Sequence, residues 1–197
     1  FSLGSTNDAL TIQDDWATIL TNEAAGNYSQ YEPGMLKAVD LGTEGKILFK
    51  VAGHELDELA DGTGTAATTW VAKNCLNSKH RMNATSSTAG GYAATEMRSW
   101  LTSTVLPKFP EAIRNGMSDV KKYTGYYENG ETVKDVESSE KLWILSSKEV
   151  LNNTGHETKG PVYSVVFPDA NSRLRSMNGY ASSWWLRSAY NSTGYRS

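Results

Sequence analysis

Ala181-Ser182-Ser183-Trp184-Trp185-Leu186-Arg187-Ser188 sets two tryptophans and a leucine in direct succession. On a strand, successive side chains alternate between faces, so Trp184 and Trp185 would point to opposite sides of a sheet. Each indole buries on the order of 200 Å² and carries one N–H that needs an acceptor. The segment therefore reads as a central strand covered on both faces, with Trp184 and Trp185 as structural residues. Truncating a buried tryptophan to alanine costs roughly 3–5 kcal/mol, so on this reading Trp185→Ala unfolds the domain. Arg187 adds a guanidinium whose fork matches a carboxylate, while Ser183 and Ser188 supply donors and acceptors for the strand ends.

Working outward, residues 1–13 read as an extended lead-in, and Asp14 or Asp15 caps a helix whose Trp16, Ile19 and Leu20 share one face. Met35 to Asp40 and Lys46 to Ala52 read as strands, and the short glycine-containing link between them makes an antiparallel hairpin. Thr68 to Ala72 is a further short strand, followed by a polar segment to Gly90. From Thr95 the period turns helical, with Met97, Trp100, Leu101, Thr104 and Val105 along one stripe. Pro107 and Pro110 stop that helix, and Pro110 opens a shorter one. Glu96 and Arg98 lie off the stripe and read as a structural ion pair. Met117 to Tyr123 and Lys141 to Leu145, which includes Trp143, read as paired strands around a polar hairpin from Thr124 to Glu140. Ser146-Ser147-Lys148-Glu149 is a capping box. Asn152 to Gly160 reads as a mobile loop carrying His156, and Tyr163 to Met177 as a strand-like or irregular segment followed by one helical turn. The expected structural core includes Trp100, Trp143, Trp184, Trp185 and Arg187.

Composition bounds the partners. The 197 residues suit one well-buried domain, and 39% hydrophobic residues with 6 Trp and 10 Tyr exclude a disordered chain. Net charge is −3, and the 19 basic residues are scattered apart from Lys121-Lys122, so no nucleic-acid footprint is visible. No apolar run is long enough for a helix to span a bilayer. The single cysteine, Cys75, excludes an intrachain disulfide framework and a multi-cysteine zinc site. The acidic stretch His54 to Asp61 reads as a solvated loop with Leu56 and Leu59 tucked inward. Carboxylates beside a histidine suit a divalent cation, which is the alternative reading of this stretch, but it lacks EF-hand spacing and we expect neither a metal nor a cofactor. The start at Phe1 leads us to expect a processed product or a fragment.

Three separated motifs resemble a bacterial and phage domain family of uncharacterised function with a WWLRS motif. They are Ser182 to Ala189, Arg81 to Leu101 and Lys141 to Val150, supported by Trp16 to Leu20 and by Val51-Ala52-Gly53-His54. The resemblance spans residues 14 to 190. It implies an α+β, C-type-lectin-like fold, loop-rich, with small antiparallel sheets and two main helices. It also implies remote kinship with formylglycine-generating enzymes and with the variable proteins of diversity-generating retroelements. Within the family the WWLRS strand is followed by several tens of residues that close the sheet. The expectation is therefore a lead-in at 1–13 and one domain at 14–197 that lacks its closing strands, which a longer polypeptide or a neighbouring chain would supply.

Two function classes follow. The first is a non-enzymatic ligand-binding or display domain on a virion or extracellular surface, of the phage fibre, decoration or host-adhesion type. Its partners would be a cell-surface protein or glycan and other virion or surface chains, with a homo-oligomer as an option, and without nucleic acid or membrane insertion. Retroelement kinship puts ligand contacts after the central strand, here on Tyr190, Asn191 and Tyr195, where tyrosines flank small polar residues. The second class is an enzyme of the formylglycine-generating-like fold. The lone Cys75 disfavours it, since that chemistry requires a cysteine pair, and His54, His80 and His156 show no catalytic spacing. We expect no catalytic residues.

Overall fold

Asp15 starts the first helix as the sequence predicts, its carboxylate accepting the Thr18 amide at 2.8 Å, and α1 runs Trp16–Ala24. The computed structural model describes residues 10–196. Most of the expected lead-in, residues 1–9, lies outside them. Ile12, within it, donates its amide to the Leu36 carbonyl at 2.9 Å.

The predicted hairpin and third strand form one antiparallel sheet in the order β1 (Leu36–Asp40), β2 (Lys46–His54), β3 (Thr68–Ala72). Asp40 pairs with Lys46 across the turn, and Gly45 has φ +91°, a conformation that favours glycine. Among the described residues β3 has no strand on its far edge.

The helical stripe divides. Glu96–Trp100 forms α2 under the Thr95 cap, and the chain then widens into a π turn over Leu101–Val105. Met97, Leu101 and Val105 are buried, while Thr104 is exposed because the extra residue in a π turn rotates it off the stripe. Pro107 and Pro110 end this run, and α3 (Glu111–Gly116) follows.

One expected pairing is wrong. β4 (Val120–Glu128) pairs with β5 (Glu131–Glu140), not with Lys141 to Leu145, which carries no strand. The turn is Asn129-Gly130, with φ of +51° and +85°. Positive φ at both central residues is what a type I′ hairpin turn demands and what Asn-Gly supplies. The polar side chains of β5, mostly facing solvent, hid the strand from a hydrophobicity pattern. The expected capping box is present at α4 (Ser147–Leu151), where Ser146 Oγ accepts the Glu149 amide at 3.2 Å and Glu149 Oε2 accepts the Ser146 amide at 2.8 Å.

Two small hairpins complete the chain, β6 (Arg175–Met177) with β7 (Tyr180–Ser182), and β8 (Ala189–Asn191) with β9 (Gly194–Tyr195). The expected central strand is absent, since Trp184 to Ser188 is irregular backbone between these hairpins. Three backbone bonds to two neighbours fix it, Leu186 N–H to Arg196 O at 2.8 Å, Arg196 N–H to Ser188 O at 3.0 Å and Arg187 N–H to Leu145 O at 2.8 Å. Four consecutive buried residues, Leu186 to Ala189, explain this, because they are enclosed on all sides rather than alternating across a sheet. The fold is α+β, with four α-helices rather than two among the described residues and several antiparallel sheets of two or three strands. The largest buried cluster joins Val39, Leu41 and Ile47 of the sheet region to Met97, Leu101 and Val105, and a second gathers Val71, Val150, Tyr163, Phe167 and Leu186.

Asn152 to Gly160 is not a free loop. His156 and Glu157 are buried, and Asp135 accepts the Thr158 and Lys159 amides at 2.7 and 3.0 Å. Gly125, at the bulge of β4, makes this close approach possible, since a Cβ there would lie 2.5 Å from the His156 carbonyl oxygen. Gly125→Ala should therefore destabilise the protein by about 1–3 kcal/mol, the usual range for overpacking. Urea unfolding would show it, and an unchanged midpoint would mean that the loop is not docked on β4.

Candidate functional site

Strand alternation on β4 sends Val120, Lys122 and Thr124 to the buried face. A lysine there must be paired, and Lys122 is. Its Nζ donates to Asp57 Oδ1, to Glu149 Oε1 at 3.1 Å and to the Tyr163 hydroxyl oxygen at 2.7 Å, and it lies 3.9 Å from the centre of the Trp143 ring. Asp57 comes from the segment after β2 and also accepts bonds from Thr69 and Tyr163. Glu149 from α4 takes the predicted fork of Arg187, Nη1 to Oε2 at 2.6 Å and Nη2 to Oε1 at 2.9 Å. The guanidinium also donates to the Ile144 carbonyl at 2.8 Å and the Tyr123 carbonyl at 3.2 Å.

Two cations and two carboxylates thus neutralise each other in the interior. Burial alone would raise the Glu149 pKa, but the Arg187 and Lys122 charges, with the bonds they make, bring it down to about 2. Burial and the nearby Glu149 and Asp57 charges push the Tyr163 hydroxyl well above its usual range. Glu157 lies beside this cluster, accepting the Gly125 amide at 3.0 Å and the Ser188 hydroxyl at 2.9 Å. Its burial outweighs those bonds and raises its pKa. The proton-bearing groups of the cluster are committed to one another, as in a structural network.

In front of this cluster lies a cleft of about 1260 Å³ between β3, α2, residues 141–145 and residues 181–185. All six tryptophans line it. Trp16 and Trp70 meet edge to face with centres 5.0 Å apart, and His80 stacks on Trp100 at 4.6 Å. Backbone carbonyls hold three of the indoles, with Trp16 donating to Ala38 at 2.9 Å, Trp184 to Arg173 at 3.0 Å and Trp185 to His80 at 3.1 Å. The Trp143 indole N–H is buried without an acceptor.

The expected site residues separate. Tyr190 is 64% exposed and Asn191 is exposed, its carboxamide oxygen accepting the Thr193 amide and hydroxyl at 2.9 Å each. Tyr195 is 8% exposed, inside the largest apolar cluster, and burial pushes its hydroxyl up to about 12. Tyr195 is thus a core residue and not a loop contact, because β9 folds it inward. Trp185 is 37% exposed, which corrects its assignment to the core: among the described residues its segment joins no sheet that would cover it. Trp100, Trp143 and Trp184 are half-buried on the cleft, and Arg187 is fully interior. Glu96 and Arg98 do not pair with each other. Glu96 meets Arg81 at 2.8 Å, and Arg98 meets Glu140 at 2.7 Å.

The histidines occupy three different surroundings. His54 Nδ1 lies 3.2 Å from Thr68 Oγ1, His80 stacks in the cleft, and His156 packs beside Tyr127. Among the described residues no group of three His, Cys, Asp or Glu is placed to hold a metal ion, and no helix is long and apolar enough to cross a membrane. Sequence reading missed Lys122 and Asp57. The available signal was Lys122 sharing the strand face of Val120.

A family model described as a domain of unknown function, DUF6273, matches residues 66–197. No curated protein and no solved structure matches the chain.

The charge cluster predicts a pH dependence. The Glu149 pKa is lowered by folding, so its contribution is complete above the unfolded value near 4.5 and is lost as pH falls towards 2. Glu149→Gln should remove that part of the acid limb. At pH 7 it should cost about 3–5 kcal/mol by leaving Arg187 and Lys122 undercompensated. Urea titrations between pH 2.5 and 7 would test both, and parallel curves for the two proteins would contradict the assignment.

Proposed function

The chain belongs to the DUF6273 family of domains of unknown function, and from that premise we propose that it is a non-enzymatic ligand-binding domain whose tryptophan-lined cleft receives a glycan. One observation carries the reading: all six tryptophans face a single cleft, while the buried acids and bases behind it are spent on each other. Partly exposed indoles offer flat apolar faces for the C–H faces of a sugar ring, and their N–H groups fix the ring planes. The motif resemblance supports a C-type-lectin-like scaffold and a place on a virion or cell surface. The same reading moves the ligand contacts from Tyr190 and Asn191 to Trp100, Trp184 and Trp185, because Tyr195 is turned into the core and cannot act with the loop.

An array of neutral and acidic glycans, followed by titration of hits against intrinsic tryptophan fluorescence, tests this. Trp185→Ala should weaken binding at least tenfold, about 1.4 kcal/mol or more as expected of an aromatic anchor, while leaving the melting temperature nearly unchanged. Loss of binding in Tyr190→Ala with full binding in Trp185→Ala would return the site to the loop, and absence of any glycan hit would reject the ligand class.

A further inference from the structure

The face of β2 opposite the core residues Ile47 and Val51 carries Lys46, Leu48 and Lys50, because alternate residues of a strand share a face. Lys73 continues this surface just beyond β3, its amide bonded to the Leu48 carbonyl at 2.7 Å. Arg175 of β6 completes the set. These four cations line a second groove of about 610 Å³. Among the described residues none of the four has a carboxylate within ion-pair distance.

Two features of the groove suit it to an anion. Arg175 is only 7% exposed, its Nη1 donates to the Ser172 and Leu174 carbonyls at 2.7 and 3.1 Å, and its plane is covered by Phe167 and Trp184. Its Nη2 is buried with no acceptor, an uncommon state for a guanidinium nitrogen. Lys50 is half-buried with Lys73 and Arg175 beside it on the same groove, and burial together with those like charges lowers its pKa. Cations kept together without a counter-charge are stabilised when an oxyanion joins them.

We propose that this groove binds the sulfate or carboxylate groups of an acidic glycan. The proposal deepens the glycan reading of the tryptophan cleft and rests on it for the ligand class, though its own charge evidence is separate. The two surfaces meet at Asn74, Arg175 and Ala181, so one saccharide chain can run from stacked indoles to the basic groove. A single-stranded nucleic acid would use the same pairing of stacked rings and charge, so it is the competing occupant that the test must separate from an acidic glycan. Asn171 and Ser176 provide polar side chains at its wall, suited to sugar hydroxyls.

Binding of dextran sulfate, polygalacturonate, uncharged dextran and a single-stranded oligonucleotide would be measured by calorimetry over a series of salt concentrations. The wild-type chain should bind at least one acidic polysaccharide more tightly than dextran, with affinity falling as salt rises, and the preferred one identifies the anionic group. The double variant Lys46→Gln, Lys73→Gln alters two exposed lysines and should fold normally. It should lose at least tenfold in affinity for that polysaccharide, with a shallower salt slope by about 2, as loss of two charge contacts requires. Unchanged affinity in the double variant, equal binding of dextran, or tighter binding of the oligonucleotide would overturn the proposal. If the double variant binds normally while Trp185→Ala still abolishes glycan binding, only the groove is refuted. If Trp185→Ala has no effect but the lysine variant does, it is the cleft reading that fails.

Discussion

Arg187 and Glu149 form a forked ion pair in the interior, and the rest of the fold is arranged to satisfy it. A buried pair of charges loses its hydration, which its own attraction offsets only when every remaining donor and acceptor is used. Here Arg187 also holds the Ile144 and Tyr123 carbonyls, Glu149 caps its own helix, and Lys122 joins Glu149 to Asp57 and Tyr163. The segment after β2, the long β4 hairpin, α4 and the Trp-rich segment are thereby tied at one point. These elements make few backbone bonds to each other, so side chains do much of the work that a continuous sheet would do.

That arrangement determines where the tryptophans go. Because Arg187 is drawn inward beside Leu145, the preceding Trp184 and Trp185 project along the rim of the cleft instead of across a sheet. Trp143 lies between the two regions, one face over Lys122 and the rest of the ring on the cleft wall. The charge cluster sets the back of the cleft and the indoles its walls. An indole held in place by its own hydrogen bond loses little entropy when a ligand docks on it.

Local signals were legible and distant ones were not. Asp15, Ser146 with Glu149, and the β1–β2 hairpin follow from capping and turn chemistry within a few residues, and each appears at its expected place. The fork of Arg187 was foreseeable from the guanidinium, but not its partner, which stands 38 positions away. Asn129-Gly130 is a legible turn signal, but β5 beside it offers the strand pattern little but polar residues. Lys122 and Asp57 look like ordinary surface charges in sequence, and only tertiary enclosure makes them interior. Trp185 fails in the opposite sense, since its apolarity predicts burial and the absence of a covering sheet leaves it on the rim. The basic groove escapes a sequence reading for the same reason, as Arg175 lies more than 100 positions from Lys73 and meets it only in the folded chain.

The central claim is that one buried charge cluster locks these segments into a single cooperative unit behind the cleft. Native-state hydrogen exchange tests it at four amides that adjoin the cluster: Ala66 bonded to Asp57, Lys121 to Glu58, Tyr163 to Glu149 and Arg187 to Leu145. The account predicts that all four open with the same free energy, close to that of global unfolding. If Arg187 and Tyr163 exchange through a separate, low-energy opening while Ala66 and Lys121 remain protected, the cluster does not hold the fold together and the account is wrong.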